Sequence, residues 1–256
     1  MRTIKLTLAF DGADFRGWQS QSQGERTVQG VLGHAIERLT GASAQVEGAG
    51  RTDSGVHALG AVAAFHTAST LPVGEIHRAL NALLPPDVRV LAAEELPEGF
   101  HPRKHARSKA YRYVISTGPV QSPFARGHAW HIRGPLDVQA MARAAEALLG
   151  EHDFAAYMAS GSSVKSTRRR LLRLHVAEAD SVEFLGMRIT GGFVSIEAEG
   201  EGFLRHMVRN IAGTLAEVGL GKRSPDNPAH VLASLDRSLA GPTAPAHGLF
   251  LLSVSY

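Results

Sequence analysis

Residues 111–117 read YRYVIST. Strict alternation makes this a strand and puts Tyr111, Tyr113 and Ile115 on one face. A polar loop with Gly and Pro follows, and then Asp137 stands as N-cap to a helix. That helix carries Val138, Met141, Ala145, Leu148 and Leu149 on one side, with Gly150 after it. The start of the chain repeats this order. Ile4, Leu6, Leu8 and Phe10 fall on one face of a first strand, and the polar stretch DGADFRGWQSQSQGER comes next. Thr27 then caps a helix striped by Val31, Leu32, Ala35, Ile36 and Leu39, and Gly41 suits its C-terminus. Both helices open near a Val-Gln pair, Val28-Gln29 and Val138-Gln139. The economical reading is two related α+β halves, 1–107 and 108–256; chance likeness of two ordinary strand–helix units is the alternative.

The remaining segments complete an α+β sheet protein with helices segregated to one side. A strand is expected around Gly60–Thr67 and an amphipathic helix from Val73 to Leu84, stopped by Pro85-Pro86. Val88–Leu96 reads as extended, as do 171–178, 182–190, 192–199 and 249–256. Residues 203–219 read as a helix, with Leu204, Val208, Ile211, Leu215 and Val218 at heptad-like spacing.

Composition narrows the classes. The 256 residues are 44% hydrophobic and 20% charged, an ordinary globular balance. With no cysteine, disulfides, zinc–thiolate sites, iron–sulfur clusters and cysteine nucleophiles are all excluded. No apolar run reaches the roughly 18 residues of a membrane span, and the N-terminus reads as a strand, so a cytoplasmic protein without a membrane partner is expected. The net charge is +3 and the pI about 9.4, which nucleic acid suits without being demanded. Neither GxGxxG, a P-loop nor HExxH is present. The pairs His101/His105 and His128/His131 have metal-compatible spacing but no neighbouring carboxylates, so they read as ordinary hydrogen-bonding histidines.

The stretch that resists a structural reading is GAGRTDSGVHALGAVAAF, residues 48–65. If 50–54 are extended, Arg51 and Asp53 share a face, because residues i and i+2 are co-facial in a strand. A guanidinium beside a carboxylate favours the ionised form, which can serve as nucleophile or base. The glycines allow sharp bends and close approach of a bulky substrate. A salt-bridged turn in which the aspartate caps its own backbone accounts for the same residues equally well. Three basic features stand beside it: HPRKHARSK (101–109) with Arg103, Lys104, Arg107 and Lys109; KSTRRR (165–170) with Arg168; and Arg205 with Arg209. The last two lie four apart, on one face near the expected start of the 203–219 helix. Together they lean toward a phosphate-rich ligand, with RNA the natural candidate.

At this point GRTDSGVHA (50–58) resembles the catalytic motif of the tRNA pseudouridine synthase A (TruA) family. The resemblance runs along nearly the whole chain. It takes in AFDGADFRGWQSQ (9–21), TVQGVL (27–32), NALLP (81–85), FHPRKHARSKAYRY (100–113), LLGEHDF (148–154), GFLRHMVRNIAG (202–213) and TAPAHGLFL (243–251). Pro102, where relatives usually have alanine, and the triple arginine 168–170 depart from the pattern.

The resemblance implies the pseudouridine synthase fold, two RRM-like or ferredoxin-like halves sharing a mostly antiparallel central sheet flanked by helices. It implies isomerisation of uridine to pseudouridine at positions 38, 39 and 40 of the tRNA anticodon arm by a homodimer, with no cofactor and no metal. Asp53 would be the nucleophile, Arg51 would hold the extruded nucleotide, Tyr111 would contact the flipped base, and Arg209 would pair with Asp53. The basic residues Arg103, Lys104, Arg168 and Arg205 would contact the RNA backbone, and His57 would be structural. Two rivals stand beside this reading. A catalytically silent RNA-binding protein of the same fold predicts a broken Arg–Asp–Tyr–Arg set, and all four residues are present. A hydrolase with an aspartate nucleophile wants an acidic metal cluster, which the sequence lacks.

Overall fold

A computed structural model describes residues 1–256 except 22, 23, 160, 162, 163, 185 and 186. Residues 22 and 23 of the polar stretch, and 185 and 186 of the expected strand 182–190, therefore lie outside the described residues. The chain forms two compact units, one of Met1–Arg107 with Phe250–Tyr256, the other of Ser108–Leu249. Among the described residues there are five α-helices and ten strands, and the α+β class holds.

The first unit is built on β1 (Arg2–Phe10), whose Ile4, Leu6 and Leu8 are wholly buried. Strand β3 (His57–Thr67) runs antiparallel along one edge of β1, with Ile4 opposite Phe65, and β4 (Val88–Leu96) along the other, with Leu6 opposite Ala93. Short β2 (Val46–Gly48) adds to the outer edge of β3. Helix α1 (Val28–Thr40) starts where Thr27 Oγ1 accepts from the Gly30 N–H. It ends where Gly41, at φ 72°, donates to Glu37 O. Its buried stripe is Val28, Leu32, Ala35 and Ile36. Helix α2 (Val73–Leu83) buries Ile76 and Leu80.

In the second unit β5 (Ser108–Thr117) pairs antiparallel with β9 (Met187–Gly200), which pairs antiparallel with β8 (Arg168–Phe184), and β7 (Gly150–Asp153) closes the outer edge of β8. Strand β6 (Trp130–Ile132) lies parallel to β5, Ile115 opposite Trp130. Helix α3 (Val138–Glu146) is capped by Asp137, whose Oδ1 accepts from the Ala140 N–H at 2.8 Å. Helix α4 (Met207–Gly219) is buried along most of its length, and α5 (Asn227–Ser234) follows it.

Three differences from the sequence reading have physical causes. The described residues of the segments expected as separate strands at 171–178 and 182–190 fall on β8 and β9, because their antiparallel ladder continues past register shifts at Leu171/Arg173 and Ala179/Ser181. Helix α4 begins at Met207, not 203: His206 has a left-handed φ of 60°, which no helix continues through. The final strand β10 (Leu249–Ser255) runs parallel to β3, Phe250 opposite His57, which places 250–256 in the first unit and not in the second.

Candidate active site

The GRTDSGV stretch is an irregular loop leading into β3, and it is held by the FDGADFRGW segment at the end of β1. Trp18 N–H donates to Thr52 O at 3.0 Å, Gly55 N–H to Phe15 O at 3.3 Å, and Ser54 Oγ to the same Phe15 O at 3.1 Å. A turn closes within the loop, Val56 N–H donating to Asp53 O. The two backbones touch. A Cβ on Gly12 would stand 2.0 Å from Val56 O, and one on Gly17, at φ 91°, would stand 2.7 Å from Thr52 O. Only glycine permits this contact, so the DG and RGW of the first motif are matched sterically to the RTDSGV of the second.

The holding segment is itself braced. The Arg26 guanidinium sits 4.1 Å from the Phe15 ring centroid, a cation–π contact, and pairs with Asp87 at 2.8 Å. The hydrogen bond that Arg26 donates to Asp87 raises the Arg26 pKa above its ordinary value against the opposing effect of burial, which keeps this brace charged. Gln29 ties the loop to the sheet: its Oε1 accepts from Ser20 N–H and Gln19 Nε2, while its Nε2 donates to Val46 O.

Arg51 is exposed, Thr52 buried, Asp53 half-buried and Ser54 exposed. Residues 51–53 lie in no strand, so the β-ladder geometry from which a co-facial Arg51 and Asp53 was read is not formed here. Thr52 Oγ1 is buried without a hydrogen-bond partner among the described residues, a desolvation worth about 1–3 kcal/mol. His57 is only 2% exposed and opens β3. It stacks on Phe250 at 4.8 Å, and its Nδ1 lies 3.1 Å from Gly12 N and 3.0 Å from Asp11 Oδ1. One ring nitrogen cannot accept from the amide and donate to the carboxylate together, so the tautomer decides which contact forms. Either way it is an internal histidine, held between the end of β1 and β10.

In the second unit Tyr111 lies on β5 opposite Ala198, 8% exposed, with its ring edge-on to Phe203 at 5.1 Å. Arg209, half-buried in the first turn of α4, donates through Nε to Ala244 O at 2.8 Å, and its own carbonyl accepts from Ala244 N–H. The neighbouring Asn210 is fully buried and forms a hub. Its Oδ1 accepts from Thr243 Oγ1 (2.6 Å) and Arg237 Nη2 (3.1 Å), and its Nδ2 donates to Tyr157 O (2.8 Å). The MVRN and TAPAHG motifs are thus stitched together side by side. Tyr113 completes the seam by donating to Pro245 O at 2.8 Å, and burial pushes its phenol far up, so it is a neutral donor. Burial also holds His247 below the usual imidazole value, with nearby His128 and Arg209 acting in the same direction.

The basic candidates are dispersed. Arg103 and Lys104 are exposed on a turn in the first unit, which Tyr256 anchors by donating to Pro102 O at 3.0 Å. Arg168 is exposed at the start of β8 and pairs with Glu151 at 3.1 Å. Arg205 is exposed on the turn before α4, so it does not share a helical face with Arg209 as the sequence suggested; the left-handed His206 stands between them. The sequence reading gives Gly12, Gly17, Gln29 and Asn210 no part in the site. For Asn210 a signal existed: with Thr214 it makes an i, i+4 polar pair inside an otherwise apolar stripe.

A family model described as tRNA pseudouridine synthase matches residues 8–103 and 144–256. The chain belongs to the tRNA pseudouridine synthase family. Proteins named tRNA pseudouridine synthase A from Geotalea uraniireducens (strain Rf4) and Myxococcus xanthus are each 46% identical over 256 residues, covering all of this chain and 100% and 92% of their own lengths. One from Thermoanaerobacter sp. (strain X514) is 42% identical over the full length of both. The α+β architecture is accordingly that of a pseudouridine synthase. The two loop systems described above hold the RTD and MVRN motifs of this synthase, each fixed by backbone contacts.

Proposed function

We propose that this tRNA pseudouridine synthase isomerises uridines 38, 39 and 40 of the anticodon stem-loop, with Asp53 as its nucleophile. What supports the reading is the backbone clamp on the RTD loop: a family motif is held rigidly by glycine contacts that a mere surface turn does not need. In the reaction the C1′–N1 glycosidic bond breaks, the uracil turns, and C5 bonds to C1′. The hydrogen on C5 leaves as a proton. An ionised Asp53 serves each route open to it, by attack on uracil C6, attack on ribose C1′, or removal of a sugar proton.

The target uridine leaves the base stack to reach the carboxylate. In this proposal Arg51 holds the extruded nucleotide, Tyr111 contacts the base and assists loss of the C5 proton, and Arg209 pairs with Asp53. Arg103, Lys104, Arg168 and Arg205 take phosphates, Arg168 in competition with Glu151. The proposal extends to a homodimer holding the anticodon arm, working in the cytoplasm; among the described residues no helix is long and apolar enough to cross a membrane. The test is release of tritium from tRNA labelled at uracil C5, followed by mapping of the pseudouridines formed. No release by the wild-type protein ends the catalytic reading, and pseudouridine outside 38–40 ends the positional one.

A further inference from the structure

The loop between β5 and β6, GPVQSPFARGHA (118–129), lies in the stretch 104–143 that the family model leaves unmatched. Its backbone is fixed from behind. Gln121 Nε2 donates to Ala129 O at 3.2 Å, Ala125 N–H to Ser122 O, and His128 N–H to Ala125 O. His131 Nε2 lies 3.1 Å from Gly118 O, and the pairing of Thr117 with Ile132 closes the loop's base. Ala125 and Ala129 pack into an apolar cluster with Phe193, Val182 and Ile189 of the β8–β9 hairpin. On this braced support Phe124 is 61% exposed and Val120 81% exposed.

The loop's own stretch of chain carries charge of one sign. From Gly99 to Leu136 there is no aspartate or glutamate, while Arg126 and Arg133 flank the loop and are both exposed. Beside its base is an open depression lined by Thr117, Gly118, Pro119, Arg133, Gly134 and Pro135. On the hairpin that supports the loop, Glu183 alternates with Val182 to the opposite face and is paired with Arg188. An exposed aromatic ring on a braced loop that also carries exposed arginines offers the groups that receive an unpaired base together with its phosphates. A second copy of this chain would bring Arg126 and Arg133 against their like-charged counterparts, which disfavours self-association through this loop.

We propose that the 118–134 loop is an RNA-contact site of the second unit, in which Phe124 stacks on an unpaired base of the tRNA and Arg126 and Arg133 take flanking phosphates. The inference rests on tRNA being the substrate, as proposed above. Its test is tRNA binding and C5-tritium release by Phe124→Ala, Phe124→Tyr and Arg126→Ala. Loss of the ring is expected to weaken tRNA binding about five-fold or more and to leave turnover at saturating tRNA unchanged, while Phe124→Tyr keeps wild-type affinity. Arg126→Ala is expected to lower the steepness of log K against log salt by about 0.7–0.9. Because Phe124 is exposed, the variants keep the wild-type melting curve. Wild-type affinity in Phe124→Ala overturns the proposal, as does equal weakening in Phe124→Tyr. A change in sedimentation of the RNA-free protein on losing the ring, with tRNA affinity intact, assigns the loop to self-association instead. Wild-type protein that releases no tritium would fail the catalytic reading, whereas an active wild type matched by Phe124→Ala fails this site alone.

Discussion

Gly12 meets the backbone of Val56 with no room for a side chain: a Cβ on Gly12 would stand 2.0 Å from Val56 O. This contact joins the end of β1 to the far side of the Asp53 turn. Gly12→Ala is therefore expected to push the two loops apart, lowering unfolding free energy by about 1–3 kcal/mol and reducing turnover with it. Gly33→Ala is the control. Gly33 lies in α1 with nothing within 4 Å of a new Cβ, so it is expected to gain up to about 1 kcal/mol from helix propensity. Urea titration of both variants checks the pair, and equal stability of Gly12→Ala and wild type would remove the clamp.

Asp53→Asn keeps the loop's backbone bonds, because Asp53 O and the bonds through Thr52 O and Phe15 O are main-chain. It is expected to abolish tritium release while tRNA affinity and melting curve stay at wild-type values. Retained turnover would remove Asp53 from the centre of the reaction.

Asn210→Ala strips Thr243 Oγ1, Arg237 and Tyr157 O of a buried partner at once. Each group left unsatisfied in the interior costs about 1–3 kcal/mol, so a marked loss of stability is expected in denaturant. Thr243→Ser, which keeps the hydroxyl donor, is expected to keep most of it. Arg209 is bonded to Ala244, next to Thr243, and so turnover in Thr243→Val is expected to fall further than tRNA affinity does.

Burial raises the phenol pKa of both Tyr113 and Tyr157, partly opposed by Arg209 and Arg223. In the unfolded chain these phenols lose their protons near pH 10, while in the folded protein they keep them. The unfolded state therefore binds fewer protons above that pH, and stability, fully present below about pH 10, falls as pH rises toward the folded values. The decline is about 1.4 kcal/mol per pH unit for each tyrosine. Tyr113→Phe is expected to cost about 1 kcal/mol at neutral pH, since Pro245 O loses its donor, and to make the alkaline decline shallower. Urea midpoints between pH 8 and 11 measure both effects, and an unchanged alkaline slope in Tyr113→Phe would contradict the buried, neutral phenol.

What this sequence determines by itself is what neighbouring residues settle among themselves. The alternation of Ile4, Leu6 and Leu8, the stripe of α1, and the caps at Thr27, Gly41 and Asp137 are legible because strand pleat, helix period and capping bonds act over two to four residues. The spacing of Arg51 and Asp53, two apart, was readable for the same reason. Those residues alone left a site and a salt-bridged turn equally open, and it was the resemblance to the family that singled out Asp53. The tertiary structure decided the rest. That β10 returns to lie parallel to β3, that Gly12 abuts Val56 and that Asn210 reaches Thr243 depend on which distant segment wins a pairing or a close contact. No periodicity records that competition. The left-handed turn at His206, which takes Arg205 off the α4 helix, is likewise imposed from outside: Ala159 N–H reaches across to Arg205 O at 3.0 Å. Local preference there favoured a continuous helix, and a long-range hydrogen bond overrode it.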